Sequence, residues 1–515
     1  MDEEIGEELL EDFNELSRLS QSTKLSDEFV FKKLSEFDKK YKNNRNYFVS
    51  IEGLLSNIGA EQKSVNILKC SISRLKRKKE KLPINKYYYD IGNTILSKTD
   101  IENANDFDFL IETDGYREAV KSLRLVKKDN TDLYERAQTN ISNVYEKYKR
   151  NYEAILAYDK VLKINPTFGM ALGNKAIALK GYNRLSHRKS LVILYNAFLL
   201  LEKALKDENL IDTGGQIAIE TFNNELNSIK EYFDKIKYKP VEIVPPKHLT
   251  KYERFNLRNN LYLNYDFGYY YDKYSLLDSF FPSIIENLRD KPSEKSPSMS
   301  EKAYFSFQVF NQILEDYTTA RYNFYKAINI KCDFVDKKVN YIATLDYTKH
   351  SLKYGILKST FGSLYNCLDK IAHLIKFYFS KAEIKPNGDI YFRWLISEDF
   401  KQIIKETKNF HLLALFSLAF DFEKEYPYYY LKEVRNRITH SFLNVNPGIV
   451  YSTSSSNYEI AEQMLIDDIF ELFNIVKAAM FYAVNAIYYT KGTDSIVNMP
   501  AIFESGIYKS KWKTT

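Results

Sequence analysis

Residues 358–380 read KSTFGSLYNCLDKIAHLIKFYFS. Their apolar side chains fall at Phe361, Leu364, Tyr365, Leu368, Ile371, Ala372 and Ile375. That i, i+3, i+4, i+7 spacing is a helix with one buried stripe. Similar periodicity runs through approximately 301–330, 335–380, 398–421 with 425–442, and 457–489. The last of these is apolar nearly all round, as a central or partner-facing helix would be. Seventeen glycines and 12 prolines are few for 515 residues, so helix breakers are sparse. The expectation is an all-α chain whose C-terminal part is an up-and-down, four-helix-type bundle with extra helices.

Toward the N-terminus, residues 1–82 read as about three amphipathic helices ending in the basic run SRLKRKKEKL, 73–82. Such a run suits RNA phosphates, although a solvated helix end ahead of Pro83 is the more ordinary reading. A repeat follows. Gly92 and Ile95 lie in YYYDIGNTIL, and Ala119 and Leu123 in YREAVKSL. Ile141, Ser142 and Tyr145 come next, then Ala154, Tyr158, Val161 and Pro166 in NYEAILAYDKVLKINP. Ala119 and Ala154 stand 35 residues apart. Small residues let paired helices approach, aromatics fill the groove between pairs, and the proline stops the second helix. The stretch 135–168 resembles a tetratricopeptide repeat, with more degenerate copies at 87–126 and 169–206. Stacks of this kind bind a peptide or protein on a concave face; a purely structural stack is the other reading.

Three prolines in KYKPVEIVPPKHLT (237–250) break the helical pattern, and an aromatic, irregular stretch follows. A second linker, DKPSEKSPSMS (290–300), is rich in Pro, Ser and charge. The expected organisation is therefore a helical segment over 1–82, tetratricopeptide-like repeats over 83–236, a connector over 237–300 and the bundle over 301–515. No stretch reaches the ~18 uninterrupted apolar residues of a membrane span, and the acidic, amphipathic N-terminus is unlike a secretory leader. A cytoplasmic protein with no membrane partner is expected. Three cysteines form no disulfide framework. The six histidines (187, 248, 350, 373, 411 and 440) form no ligand cluster, so neither a metal nor another cofactor is expected. No phosphate-binding GxxxxGK[ST] loop or kinase motif is present. The net charge of +6 is a small surplus and says little about partners.

Chemistry concentrates in LKEVRNRITHSFLNV, 431–445. On a helix, Arg435 and Thr439 share a face, while His440, five residues on, is turned away by roughly 140°. Histidine, with an unperturbed pKa of about 6.5, exchanges protons near neutrality. Arginine presents a permanently charged fork to phosphate oxygens. Asn436 can orient either without adding charge. Asp369 is placed to pair with Arg435 and pre-orient it, or to form a core-edge salt bridge. Lys432 and Arg437 add phosphate contacts or are solvated helix charges. His373 and His411 lie in apolar patterns and read as hydrogen-bonded core residues.

Arg-Asn-x-x-x-His near a helix end, with the helices LDKIAHLIKFYF and LALFSLAFDF and the upstream LTKYERFNLRNNLYLN, resembles the HEPN superfamily over approximately 240–490. The resemblance is to a bacterial branch in which tetratricopeptide-like repeats precede the HEPN bundle. It implies a metal-independent endoribonuclease acting as an effector in antiviral or stress defence. It implies as well dimerisation (or higher homo-oligomers) that faces two motifs across one cleft. Arg435, Asn436 and His440 would be catalytic, RNA the substrate, and the products a 2′,3′-cyclic phosphate and a 5′-hydroxyl. A protein or peptide trigger on the repeats is expected. In toxin relatives controlled by nucleotidyl transfer, a tyrosine lies two residues after the histidine; here Phe442 stands there, without a hydroxyl. The competing reading is a non-catalytic RNA- or nucleotide-binding protein, or a scaffold that dimerises through its bundle.

Overall fold

The computed structural model describes residues 2–103, 106–129, 131–186, 189–240, 248–263, 278, 301–331, 338–340, 342, 349–380, 390–448 and 459–489. The 290–300 linker and most of the aromatic stretch after Leu263 lie outside the described residues. The protein is all-α apart from one pair of three-residue strands among the described residues. It forms two compact units, one of Met1–Glu242 with Phe420–Tyr430, the other of Ile243–Ala419 with Leu431–Thr515.

In the first unit, four helices rather than three fill the N-terminal 82 residues: α1 (Asp2–Ser22), α2 (Asp27–Lys40), α3 (Arg45–Glu61) and α4 (Val65–Lys78). Ser26, Asn44 and Ser64 cap the last three, each accepting the third backbone N–H of its helix. These short capped loops divide what reads in sequence as fewer, longer helices. The core is built on Leu16, Val30, Leu34, Phe37, Ile51 and Leu55. Two of the six basic residues of the run are turned inward: Arg74 bonds Glu52 and Asp38, and Lys78 Nζ lies 2.8 Å from Glu52, whose side chain is fully buried.

The chain continues through α5 (Ile84–Asn103), α6 (Phe107–Glu112), α7 (Gly115–Leu123), α8 (Thr131–Lys147), α9 (Asn151–Leu162), α10 (Gly169–Leu185), α11 (Leu191–Ala204) and α12 (Leu210–Ile236). Each of α7 to α11 packs on its successor, and α4 packs on α5 without a break at residue 82. Ala119, Ile141, Ser142, Tyr145, Ala154, Tyr158 and Val161 are all buried. Gly92 is where α5 and α7 touch: a Cβ there would stand 2.7 Å from Leu123 Cγ and 3.1 Å from the Ala119 carbonyl oxygen.

In the second unit, α13 (Lys251–Arg258) opens with a capping box between Thr250 and Glu253. The long helices are α14 (Glu301–Asn329), α15 (Leu352–Phe379) and α19 (Glu462–Tyr488). Between them come α16 (Glu398–Thr407), α17 (Phe410–Phe420) and α18 (Tyr429–His440). Helix α15 begins at Leu352, later than the 335 its periodicity suggested, at the cap Ser351. It buries more than one stripe, with Leu357, Cys367 and Leu374 enclosed beside the expected Phe361, Leu364, Leu368, Ile371 and Ile375. The reason is that it packs on two sides, against α14 and α19. Helix α19 is buried almost continuously from Ile475 to Ile487, as its all-round apolarity requires. Each such leucine or isoleucine stabilises by roughly 1.5–3 kcal/mol.

The segment after α13 is fastened to this bundle. Leu261 carbonyl oxygen accepts from Tyr317 and Arg321, and Lys477 Nζ donates to Asn260 carbonyl oxygen at 2.8 Å. Among the described residues no helix is long and apolar enough to cross a membrane.

Candidate functional site

Helix α18 ends at His440 because the chain then turns into β1 (Asn444–Asn446), which pairs in parallel with β2 (Glu459–Ala461). Val445 faces Ile460 in that register, and the Val445 carbonyl oxygen also accepts from Lys349 N–H at 3.1 Å. Ala461 is the N-cap of α19, so the strand pair fixes the C-terminal end of α18 to the start of the central helix. His440 is left exposed at that end.

Arg435 Nη1 lies 3.2 Å from His440 Nε2 and 3.4 Å from Asn436 Oδ1. The 140° separation expected from helical pitch is overcome because the guanidinium sits at the end of a long side chain and His440 is the last helical residue. Arginine has only donors, so this contact is a hydrogen bond when Nε2 carries a lone pair and the ring proton is on Nδ1. That is the form able to accept a proton. No carboxylate lies within ion-pair distance of Arg435 among the described residues, and its Nε is enclosed without a hydrogen-bond partner. Its guanidinium carbon stands 5.6 Å from the Tyr365 ring centroid, one turn before Asp369 on α15.

Asp369 does not ion-pair with Arg435. Its Oδ1 accepts from the Phe392 backbone N–H at 2.8 Å, and Arg435 acts on it only through charge. Burial pushes its carboxyl up from the ordinary carboxylate range, and the amide bond and the Arg435 charge pull the other way. Lys432 lies one turn before Arg435, and Arg437 lies roughly 200° around the helix from it. Both are half-buried. Arg437 makes no ion pair or side-chain hydrogen bond among the described residues. His411 is buried in the core, its ring stacked 5.6 Å from that of Tyr489. His373 departs from the core reading. It lines an open cavity with Phe305, Gln308, Gln312 and Lys370, its Nε2 has no hydrogen-bond partner, and burial with nearby Lys376 lowers its pKa.

The bond from Phe392 to Asp369 also places a second feature beside this site. The 3₁₀ turn Phe392–Ile396 forms a groove of about 460 Å³ with Lys376 and Tyr391. Lys376 Nζ stands 5.3 Å over the Trp394 ring, Arg393 lines the same wall, and Tyr391 is 57% exposed. Sequence periodicity gave no hint of it, since the turn is too short to carry a period. Phe442, also 57% exposed, follows His440 by two residues in the chain. Among the described residues no three His, Cys, Asp or Glu side chains group closely enough to hold a metal ion.

No curated protein and no solved structure matches this chain. Residues 298–490, which contain α14 to α19 and the Arg435–His440 pair, match the family model of the LA2681-like HEPN domains; the upstream stretch 249–264 lies outside the match. That match supports assigning this part of the chain to the HEPN superfamily.

Proposed function

We propose that the protein is a metal-independent endoribonuclease built on its HEPN-like bundle, with the helical repeats as a sensing module. One observation carries the reading: a half-buried arginine 3.2 Å from an exposed histidine, in which the arginine has no carboxylate partner among the described residues. A guanidinium left unneutralised beside an imidazole is an arrangement suited to a scissile phosphodiester. A purely structural arginine at a half-buried position is usually ion-paired.

The chemistry follows from what each group can do. A base takes the proton from the ribose 2′-hydroxyl, whose oxygen attacks phosphorus. The bond to the departing 5′-oxygen breaks, and an acid returns a proton to it. His440 supplies one of these transfers, and His440 of a second copy facing it supplies the other. Arg435 neutralises the charge that builds on the phosphorane oxygens. Asn436 orients the guanidinium through its amide oxygen. Tyr365, under the guanidinium, holds Arg435 in place, while Asp369, tied to Phe392, acts on it only as a nearby charge. The groove of Lys376, Tyr391, Arg393 and Trp394 offers ring faces and cations to the flanking nucleotides of a single strand. An antiviral or stress-defence role rests on the family resemblance alone.

The test is cleavage of a fluorescent single-stranded RNA by wild type and by Arg435→Ala and His440→Ala. Loss in both variants, with unchanged thermal unfolding, is expected. Equal cleavage by all three removes the enzyme assignment and leaves a binding or scaffold protein.

A further inference from the structure

The chain leaves α17 at Phe420 and starts α18 at Tyr429, and the intervening residues close on themselves. Tyr428 N–H donates to Asp421 carbonyl oxygen at 2.7 Å. Two ring pairs brace the loop, Phe420 with Tyr426 at 5.3 Å and Phe422 with Tyr428 at 5.5 Å. Phe420–Tyr430 is nonetheless part of the first unit, with the helical repeats.

It fits there by charge. Arg117, Lys121 and Arg124 stand at i, i+4 and i+7, one face of α7 and the residue after it. Lys121 Nζ lies 2.6 Å from Glu425. The Arg117 and Arg124 guanidinium carbons lie 4.2 Å from the Phe420 ring and 5.4 Å from the Tyr428 ring. Arg150, at the start of α9, is 1% exposed and meets Asp421 at 2.8 Å as well as Glu153 at 2.9 Å. Glu153, on the same helix, meets one edge of this buried guanidinium, and Asp421 meets its Nη1, so the occupant places an anion at that point. Glu425 takes a φ of 73°, a conformation unfavourable for a residue with a side chain, while its carboxylate meets Lys121.

We propose that this face is a receptor for an acidic, aromatic protein segment, that Asp421–Tyr430 (DFEKEYPYYY) fills it in cis, and that an external segment of the same chemistry displaces it. Tyr429 and Tyr430 are the first residues of α18, six and five positions before Arg435, so the occupant sets how the site helix begins. The idea builds on the sensing role given to the repeats but not on RNA cleavage.

Two measurements on the full chain test it without RNA. In hydrogen exchange, Lys121→Glu and Glu425→Lys each speed exchange of the Phe420–Tyr430 amides by roughly two- to fivefold, with the α18 amides following, and the double swap restores wild-type rates. Both side chains are partly exposed, so folding survives either change. Unchanged exchange in the single variants, or a loop that loosens while α18 does not, overturns the link to the helix. In the second, a labelled peptide of sequence DFEKEYPYYY is titrated onto Glu425→Lys. Binding that weakens with salt and is lost when the peptide's Asp and Glu become Asn and Gln is expected. Equal binding of charged and neutral peptides, or binding of neither, overturns the receptor.

Discussion

Arg435 Nη1 and His440 Nε2 stand 3.2 Å apart at the exposed end of α18, and the arginine has no acid to neutralise it among the described residues. A donor-only group and an imidazole nitrogen five residues apart in sequence are thus brought into contact. The catalytic proposal depends on a second such pair facing the first.

Subunit mixing reports on that dependence. If a site needs His440 from two copies, a one-to-one mixture of His440→Ala and wild-type protein, after exchange of subunits, keeps about a quarter of the activity of the same total amount of wild type rather than half. A linear loss would place the whole reaction in one subunit.

Tyr391→Ala should weaken binding of single-stranded RNA by about 1–3 kcal/mol, the range for one base stacked on one ring. Fluorescence anisotropy with the His440→Ala background, where RNA stays uncut, makes the measurement. A Tyr391→Phe variant should bind as wild type does.

Lys477 gives a pH signature of the second unit. Burial pulls its pKa down to about 7 from 10.5. Below pH 7 folded and unfolded chains both hold the proton, and above 10.5 neither does. Between those values only the unfolded chain binds it, so stability rises with pH across that window, by at most about 5 kcal/mol. Lys477→Met should flatten that slope in urea unfolding curves taken at pH 7 and pH 9.

Gly92→Ala tests the contact of α5 with α7. The new methyl would meet a fully buried leucine and a backbone oxygen. Neither can swing aside, so about 1–3 kcal/mol of destabilisation is expected. A thermal midpoint equal to wild type would mean the two helices separate more easily than their packing implies.

The bundle was legible because α15 carries a long, regular apolar period and α19 is apolar nearly all round, and the grouping of Arg435, Asn436 and His440 because a donor fork and an imidazole lie within six residues. The small residues of the first unit, Ala119 and Ala154 among them, were readable as helix contacts for the same periodic reason. Other features had no local signal. Asp369 was expected against Arg435, but its bond goes to the Phe392 amide, a tertiary contact made by a backbone group. Arg74 looked like surface charge because sequence does not reveal that Glu52 is buried opposite it. The seat of Phe420–Tyr430 among the repeats depends on Arg150, 271 positions away from Asp421 in the chain. No periodicity spans such a distance.

The most direct measurement of the central claim is the chemistry of RNA ends left by wild type and by His440→Ala in excess EDTA. The account predicts 2′,3′-cyclic phosphate and 5′-hydroxyl ends from wild type at an undiminished rate, and a loss of about 10²–10⁴-fold in the variant. Cleavage abolished by EDTA, or 5′-phosphate ends, or equal rates for the two proteins, would contradict it.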